Sequence, residues 1–212
     1  MTGKRTLLRG SGLIALVCLQ AVATATNGMG PSDAYWPCEQ VLVPEVSAAV
    51  IWDGPAIDEA KDTWRSLPRV AEVVERIASP QASAETAQAA IASFASELEP
   101  ADKDRMLTAL FAGVLEVMNQ DRSKLIDGIE RYSRDQQRRA EALGEKLDEM
   151  VRLEQDDSEA ARQALDELMK ALELGQRVFD ERERFIQYLC ARPIVVEQRL
   201  GFLARTIAGY LD

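Results

Sequence analysis

The sequence predicts an all-α protein: a helical bundle with a long antiparallel coiled-coil-like hairpin and an irregular N-terminal strap. Three observations carry that expectation. From Ile57 onward apolar residues recur at spacings of three and four. No proline interrupts the 56 residues from Ala101 to Asp156. By contrast Pro31, Pro37, Pro44 and Pro55, four of the eight prolines, bracket or interrupt Tyr35 to Pro55, a stretch that lacks the helical period. The chain accordingly divides into residues 1–25 as a signal peptide, 26–34 as a flexible lead-in and 35–55 as the strap. Residues 56–120 and 191–212 form the helical core, and 121–190 the hairpin.

At the N-terminus Lys4, Arg5 and Arg9 precede a short apolar run, Gly12 to Ala23, and small residues at Ala21, Ala23 and Ala25. That is the layout of a secretory leader cleaved after Ala25. The run is well short of the about 20 apolar residues a spanning helix needs, so no stable membrane span is expected once the leader is removed. Lipidation at Cys18 would require small residues just before it, and Leu16-Val17 stand there instead.

In the strap, Pro37 and Pro44 bias their neighbours toward extended backbone, so Val41 to Val43 reads as a short extended piece. Ser47 caps a single helical turn that ends before Asp53-Gly54-Pro55. Ile57 to Arg65 supplies a weak first turn or two of helix; Pro68 starts the next helix, with Val70, Val73, Val74 and Ile77 on one face, and Pro80 stops it. Ser83 caps a helix with an alanine-rich stripe, Ala87, Ala90, Ile91, Phe94 and Leu98.

Met106 to Met118 is apolar nearly all round and is expected to be the most buried helix. Asn119-Gln120-Asp121 is a candidate break after it, with Asp121 capping a new start. Beyond lies a seam, Leu125, Ile129, Tyr132, Gln136, Leu143, Leu147 and Met150. It is answered by Ala161, Leu165, Leu168, Leu172, Gly175, Phe179, Arg182, Ile186 and Leu189, with a tip at Asp157-Ser158. Folding about that tip sets Cys190 level with residues around Ser123. Gln136, Arg139, Gly175 and Arg182 are polar or small seam positions expected to weaken the packing. Arg192-Pro193 is expected to close the second helix, leaving Ile194 to Leu211 as a separate last one.

Loss of the leader removes three basic residues and takes the net charge from −10 to −13. Such an acidic chain is poorly suited to nucleic acid or to anionic lipid. It also leaves Cys38 and Cys190 as the only cysteines, which pair in an oxidising compartment and tie the strap to the base of the hairpin. The expected location is therefore periplasmic or secreted.

The chemistry is read chiefly from what is missing. With no histidine, Ser-His-Asp and Cys-His catalysis and imidazole metal sites are excluded together. There is no C-x-x-C and no phosphate-cradling glycine loop, so no cofactor is implied. Glu154, Asp156, Asp157 and Glu159 offer a hard cation a cluster of oxygens, but serve equally as helix-terminal charges that keep the tip solvated, which is the reading adopted. Tyr35, Trp36, Trp52 and Trp64, if they converge, either plug one end of the bundle or line a small apolar pocket.

The pattern Trp36-Pro37-Cys38, Val43-Pro44, Ser47 and Trp52-Asp53-Gly54-Pro55 is similar to the opening of uncharacterised exported helical proteins of proteobacteria. The resemblance covers about 20 residues and implies export and a related fold, with no established chemistry. The expectation is an exported, non-catalytic helical interaction protein whose hairpin meets a protein partner in the envelope or a second copy. The alternatives are a protein binding a small apolar ligand at its tryptophan-rich end and, third, an enzyme using carboxylates.

Overall fold

A computed structural model describes residues 35–212; the leader, Cys18 and the lead-in expected before them lie outside the described residues. The helices are α1 (Ala48–Ile51), α2 (Asp58–Thr63, continued by a 3-10 turn over Trp64–Ser66), α3 (Pro68–Ala78), α4 (Ala84–Ser96), α5 (Lys103–Glu154) and α6 (Glu159–Ala208). No strand occurs among the described residues, and Val41 to Val43 joins no sheet. The fold is all-α, and α5 and α6 form a long antiparallel hairpin.

Local chemistry sets the ends of the short elements. Ser47 accepts from the amide of Ala49, Ser83 from Thr86 and Ser158 from Ala161, each supplying an N-cap, and Pro68 occupies the first turn of α3, where no backbone N–H is needed.

The core gathers where α5 is apolar all round. Leu107, Leu110, Phe111 and Val114 are buried against Val70, Val74 and Ile77 of α3, Ile91 of α4, and Leu200, Leu203 and Ile207 of α6. Gly113 permits a close approach: a Cβ there would stand 2.6 Å from Val74 Cγ2 and 2.9 Å from the Trp64 ring.

Two expected boundaries are absent. α5 passes through Asn119-Gln120-Asp121 without a break: Asp121, expected to cap a new start, instead accepts from Lys124 Nζ at 2.8 Å inside the helix, and the other polar residue, Asn119, does not cap either. Its amide reaches back to the strap instead, accepting from the Val46 N–H at 2.9 Å and donating to the Val46 carbonyl at 3.0 Å. Likewise α6 does not end at Arg192-Pro193 but runs through Pro193 to Ala208. An interior proline costs about 3 kcal/mol, since it removes one helix hydrogen bond and crowds the preceding turn. Two features accompany it here: the Pro193 ring is fully buried, and in the same turn the Cys190 carbonyl accepts from Gln40 Nε2 at 2.7 Å.

The hairpin register also differs from the expected one. Arg122 meets Glu197, Tyr132 meets Phe185, Arg182 meets Gln136, and Gly175 faces Leu143. These contacts set Cys190 level with about Gly128, about one helical turn further along α5 than Ser123. Carried to the tip, the same register leaves the first turn of α6 with no α5 residue opposite it, so the connection is staggered.

Candidate functional site

The strap is fastened at its cysteine and along α5. Cys38 and Cys190 are disulfide-bonded with Cα atoms 5.6 Å apart, closing a separation of 152 residues. Such a closure contributes about 2–4 kcal/mol by restricting the unfolded chain. Buried Arg122 adds a second tie: its Nε donates to Glu197 Oε1 at 2.7 Å, and its Nη1 donates to the carbonyls of Val43 and Pro44. One guanidinium thus joins strap, α5 and α6. Sequence reasoning passed over Arg122, although its spacing from Met118, Leu125 and Ile129 places it on the seam.

The four aromatic residues fall into two groups. Trp52 stacks on Phe111 with centroids 4.0 Å apart and planes 3° from parallel, and its indole donates to the Pro55 carbonyl at 2.8 Å. Trp64 is buried beside Gly113, and its indole donates to Glu116 Oε2 at 2.8 Å. Arg65 grips the same carboxylate with two bonds of 2.7 Å. Those bonds, with the Trp64 contact, hold the Glu116 carboxyl below the usual range. Tyr35 and Trp36 belong elsewhere. Tyr35 lies against Arg134, 5.3 Å from guanidinium carbon to ring centroid, and Trp36 donates to the Gln40 carbonyl at 2.7 Å. Phe111 and Arg134 are separated by about 35 Å of helix, so the groups share no pocket.

Between the strap and α5 lies an open groove of about 1480 Å³. Trp52, Ala112 and Leu115 contribute apolar wall, but Lys61, Arg65 and Glu116 line it too, so its chemistry is mixed. Neither Tyr35, Trp36 nor Trp64 faces it.

At the tip, Asp156 accepts from the Ser158 N–H at 2.9 Å, a bond that holds its carboxyl below the usual range. Glu159 pairs with Arg162 at 2.9 Å. Among the described residues no group of three or more acidic or sulfur side chains is placed to hold a metal ion, and this includes Glu154 and Asp157.

The middle of the hairpin is joined by hydrogen bonds. Gln136, buried, donates to the Phe179 carbonyl at 2.9 Å and accepts from Arg182 Nε at 3.1 Å, while Arg182 Nη2 reaches Asp135 at 2.8 Å. Tyr132 donates to the Arg182 carbonyl at 3.2 Å and lies under its guanidinium. Arg139 first, then the charges of Arg182 and Arg138, hold the Asp135 carboxyl below its ordinary range. The polar seam positions are therefore paired across the hairpin, and Gly175 admits Leu143, whose Cδ2 would stand 2.8 Å from an added Cβ. Arg139 bonds Asp135 and stays on the surface.

No protein-family model matches the chain, and no curated protein or solved structure matches it either. Its surface has to be read on its own terms.

The most distinctive part of that surface is the flank of α6. Leu174 is 60% exposed, Phe185 46%, Tyr188 55% and Val195 59%, with Val178 among them. Further out, Ala142, Leu143, Ala171, Leu174, Gly175 and Val178 floor a shallow groove of about 330 Å³ between the two helices, with Arg139 and Lys146 at its edge. Sequence reasoning placed the inner seam but not this second stripe, whose signal is the same spacing displaced by one residue. No described helix is long and apolar enough to cross a membrane.

Proposed function

We propose that this chain is an exported, non-catalytic helical interaction protein of the cell envelope, whose hairpin engages a protein partner. The observation that carries the reading is the exposure of Leu174, Phe185, Tyr188 and Val195 on a projection already held together by its own polar bonds. An apolar stripe that the fold does not need for itself supports a role in contact with another surface. The disulfide agrees with an oxidising compartment. The resemblance of the Trp36-Pro37-Cys38 opening to exported proteobacterial proteins points the same way.

The test is capture from an envelope extract with wild type and with a form in which Leu174, Phe185, Tyr188 and Val195 are all replaced by serine, which leaves the bonds of Gln136 and Arg182 in place. A specific partner lost with the stripe is the expected result. An unchanged set of captured proteins would overturn it.

The groove beneath the strap supports a second reading, a small-ligand site in which Trp52 supplies the apolar wall. Its charged lining favours an amphiphilic ligand over a purely apolar one. Quenching of Trp52 fluorescence by such a ligand, lost in Trp52→Leu, is the outcome that would favour it.

A further inference from the structure

We propose that the outer stripe of α6 pairs with the same stripe of a second copy, antiparallel, about a two-fold axis passing between Phe185 and Tyr188. The inference rests on the reading of the hairpin as a binding element and names the partner of that site.

The stripe runs Val178, Glu181, Phe185, Tyr188, Arg192, Val195, at spacings of three, four, three, four and three. That is a coiled-coil seam, and it lies one residue, about 100° of helix rotation, from the seam that faces α5. Cys190 and the strap fall on the opposite flank of the inner seam by the same rotation, so the stripe is clear of them. At the core end the stripe stops at Arg199, whose Nη1 donates to the carbonyl of Ala82, between α3 and α4, and whose Nη2 donates to that of Ile77 in the last turn of α3.

What selects a second copy is the symmetry of the charges. Glu181 makes no salt bridge among the described residues, and neither does Arg192, which bonds only Tyr188 through its side chain. They stand equally far from the midpoint between Phe185 and Tyr188. Antiparallel pairing about that midpoint therefore sets Glu181 against Arg192 of the second copy, and Arg192 against its Glu181. The same operation sets Phe185 against Tyr188 and Val178 against Val195. Every layer is apolar on apolar or opposite in charge, which is the self-complementarity an isologous interface demands. A parallel arrangement would oppose Glu181 to itself and Arg192 to itself, at a cost in like-charge repulsion. With only six side chains from each copy the interface is small, and the dimer is expected to depend on concentration.

Sedimentation velocity over a wide concentration series, on protein recovered after expression of the full chain, tests the idea. Wild type should shift from monomer to dimer. Glu181→Arg should weaken association at least about tenfold, because Arg then faces Arg192 at two symmetric places. Glu181→Arg combined with Arg192→Glu should restore it. Monomer at every concentration overturns the proposal, as does a double variant that associates no better than the single one. A wild-type monomer that still captures a hairpin-dependent envelope protein overturns self-pairing while leaving the hairpin's binding role standing.

Discussion

The two ends of α5 have different surroundings although they belong to one uninterrupted helix. From Leu107 to Leu115 every residue is buried; beyond Gln136 none is, to the end at Glu154. In the core, continuity is enforced by apolar neighbours on all sides. In the projection it rests on helix-forming residues, on i,i+4 pairs such as Arg139 with Asp135, and on one hydrogen-bonded layer at Gln136 and Arg182. The lesson is that a long helix needs neither uniform burial nor uniform stability, and that its outer half is free to open locally while its inner half does not.

The sharpest way to break the comparison is one damaging change in each half. Phe111→Asp puts an unpaired charge where the side chain is fully buried and stacked on Trp52, and should cost at least about 4 kcal/mol, enough to prevent folding. Replacing Arg138 to Asp180 by a short turn removes far more chain, yet joins Gln137 to Glu181, which the observed register sets level. It should leave a cooperative, disulfide-bonded helical protein. Circular dichroism melts decide: a truncated form that does not fold would move the core into the projection.

A subtler contrast uses the same substitution twice on one helix. Gly113→Ala drives a methyl group into Val74 and Trp64 and should destabilise by about 1–3 kcal/mol. Gly144→Ala meets nothing within 4 Å and should stabilise by up to about 1 kcal/mol through helix propensity alone. Equal signs in urea titrations would erase the distinction between the two halves.

The smallest expected effect concerns acid. Arg65 and Trp64 hold the Glu116 carboxyl low, so its contribution is present above the unfolded carboxyl value of about 4.3 and is lost as pH falls through the depressed folded value. Because Arg65 is half exposed, the contribution is about 1 kcal/mol or less. Glu116→Gln should therefore be less stable than wild type at pH 7, by a margin that narrows as the pH falls below about 4. A gap that stays constant across that range would remove Glu116 from the account.

The core and the hairpin were legible because period and punctuation act locally: Ser47, Ser83 and Pro68 do what their positions in the chain suggest. The misjudged positions were those whose local preference is overridden by a distant residue. Asn119 has the chemistry of a cap, but Val46, 73 residues away, engages its amide. Pro193 has the chemistry of a stop, but it is buried, and Gln40, 150 residues before Cys190, bonds the same turn. Arg122 looks like a seam defect until the carbonyls of Val43 and Pro44 are placed beside it. The tryptophans are close in sequence, yet the strap parts Trp36 from Trp52 and Trp64 along α5.

The cysteine pair also dictates an order of events during synthesis. Cys38 leaves the ribosome 152 residues before Cys190, so its thiol has to wait until both long helices have been made. At about 5–20 residues per second that wait lasts on the order of 10 seconds, far longer than a helix takes to form. Oxidation can thus lock the strap only after α5 and most of α6 exist to receive it, which makes the bond a late fastener of an assembled hairpin and leaves pairing with foreign thiols as the hazard of the interval before it forms.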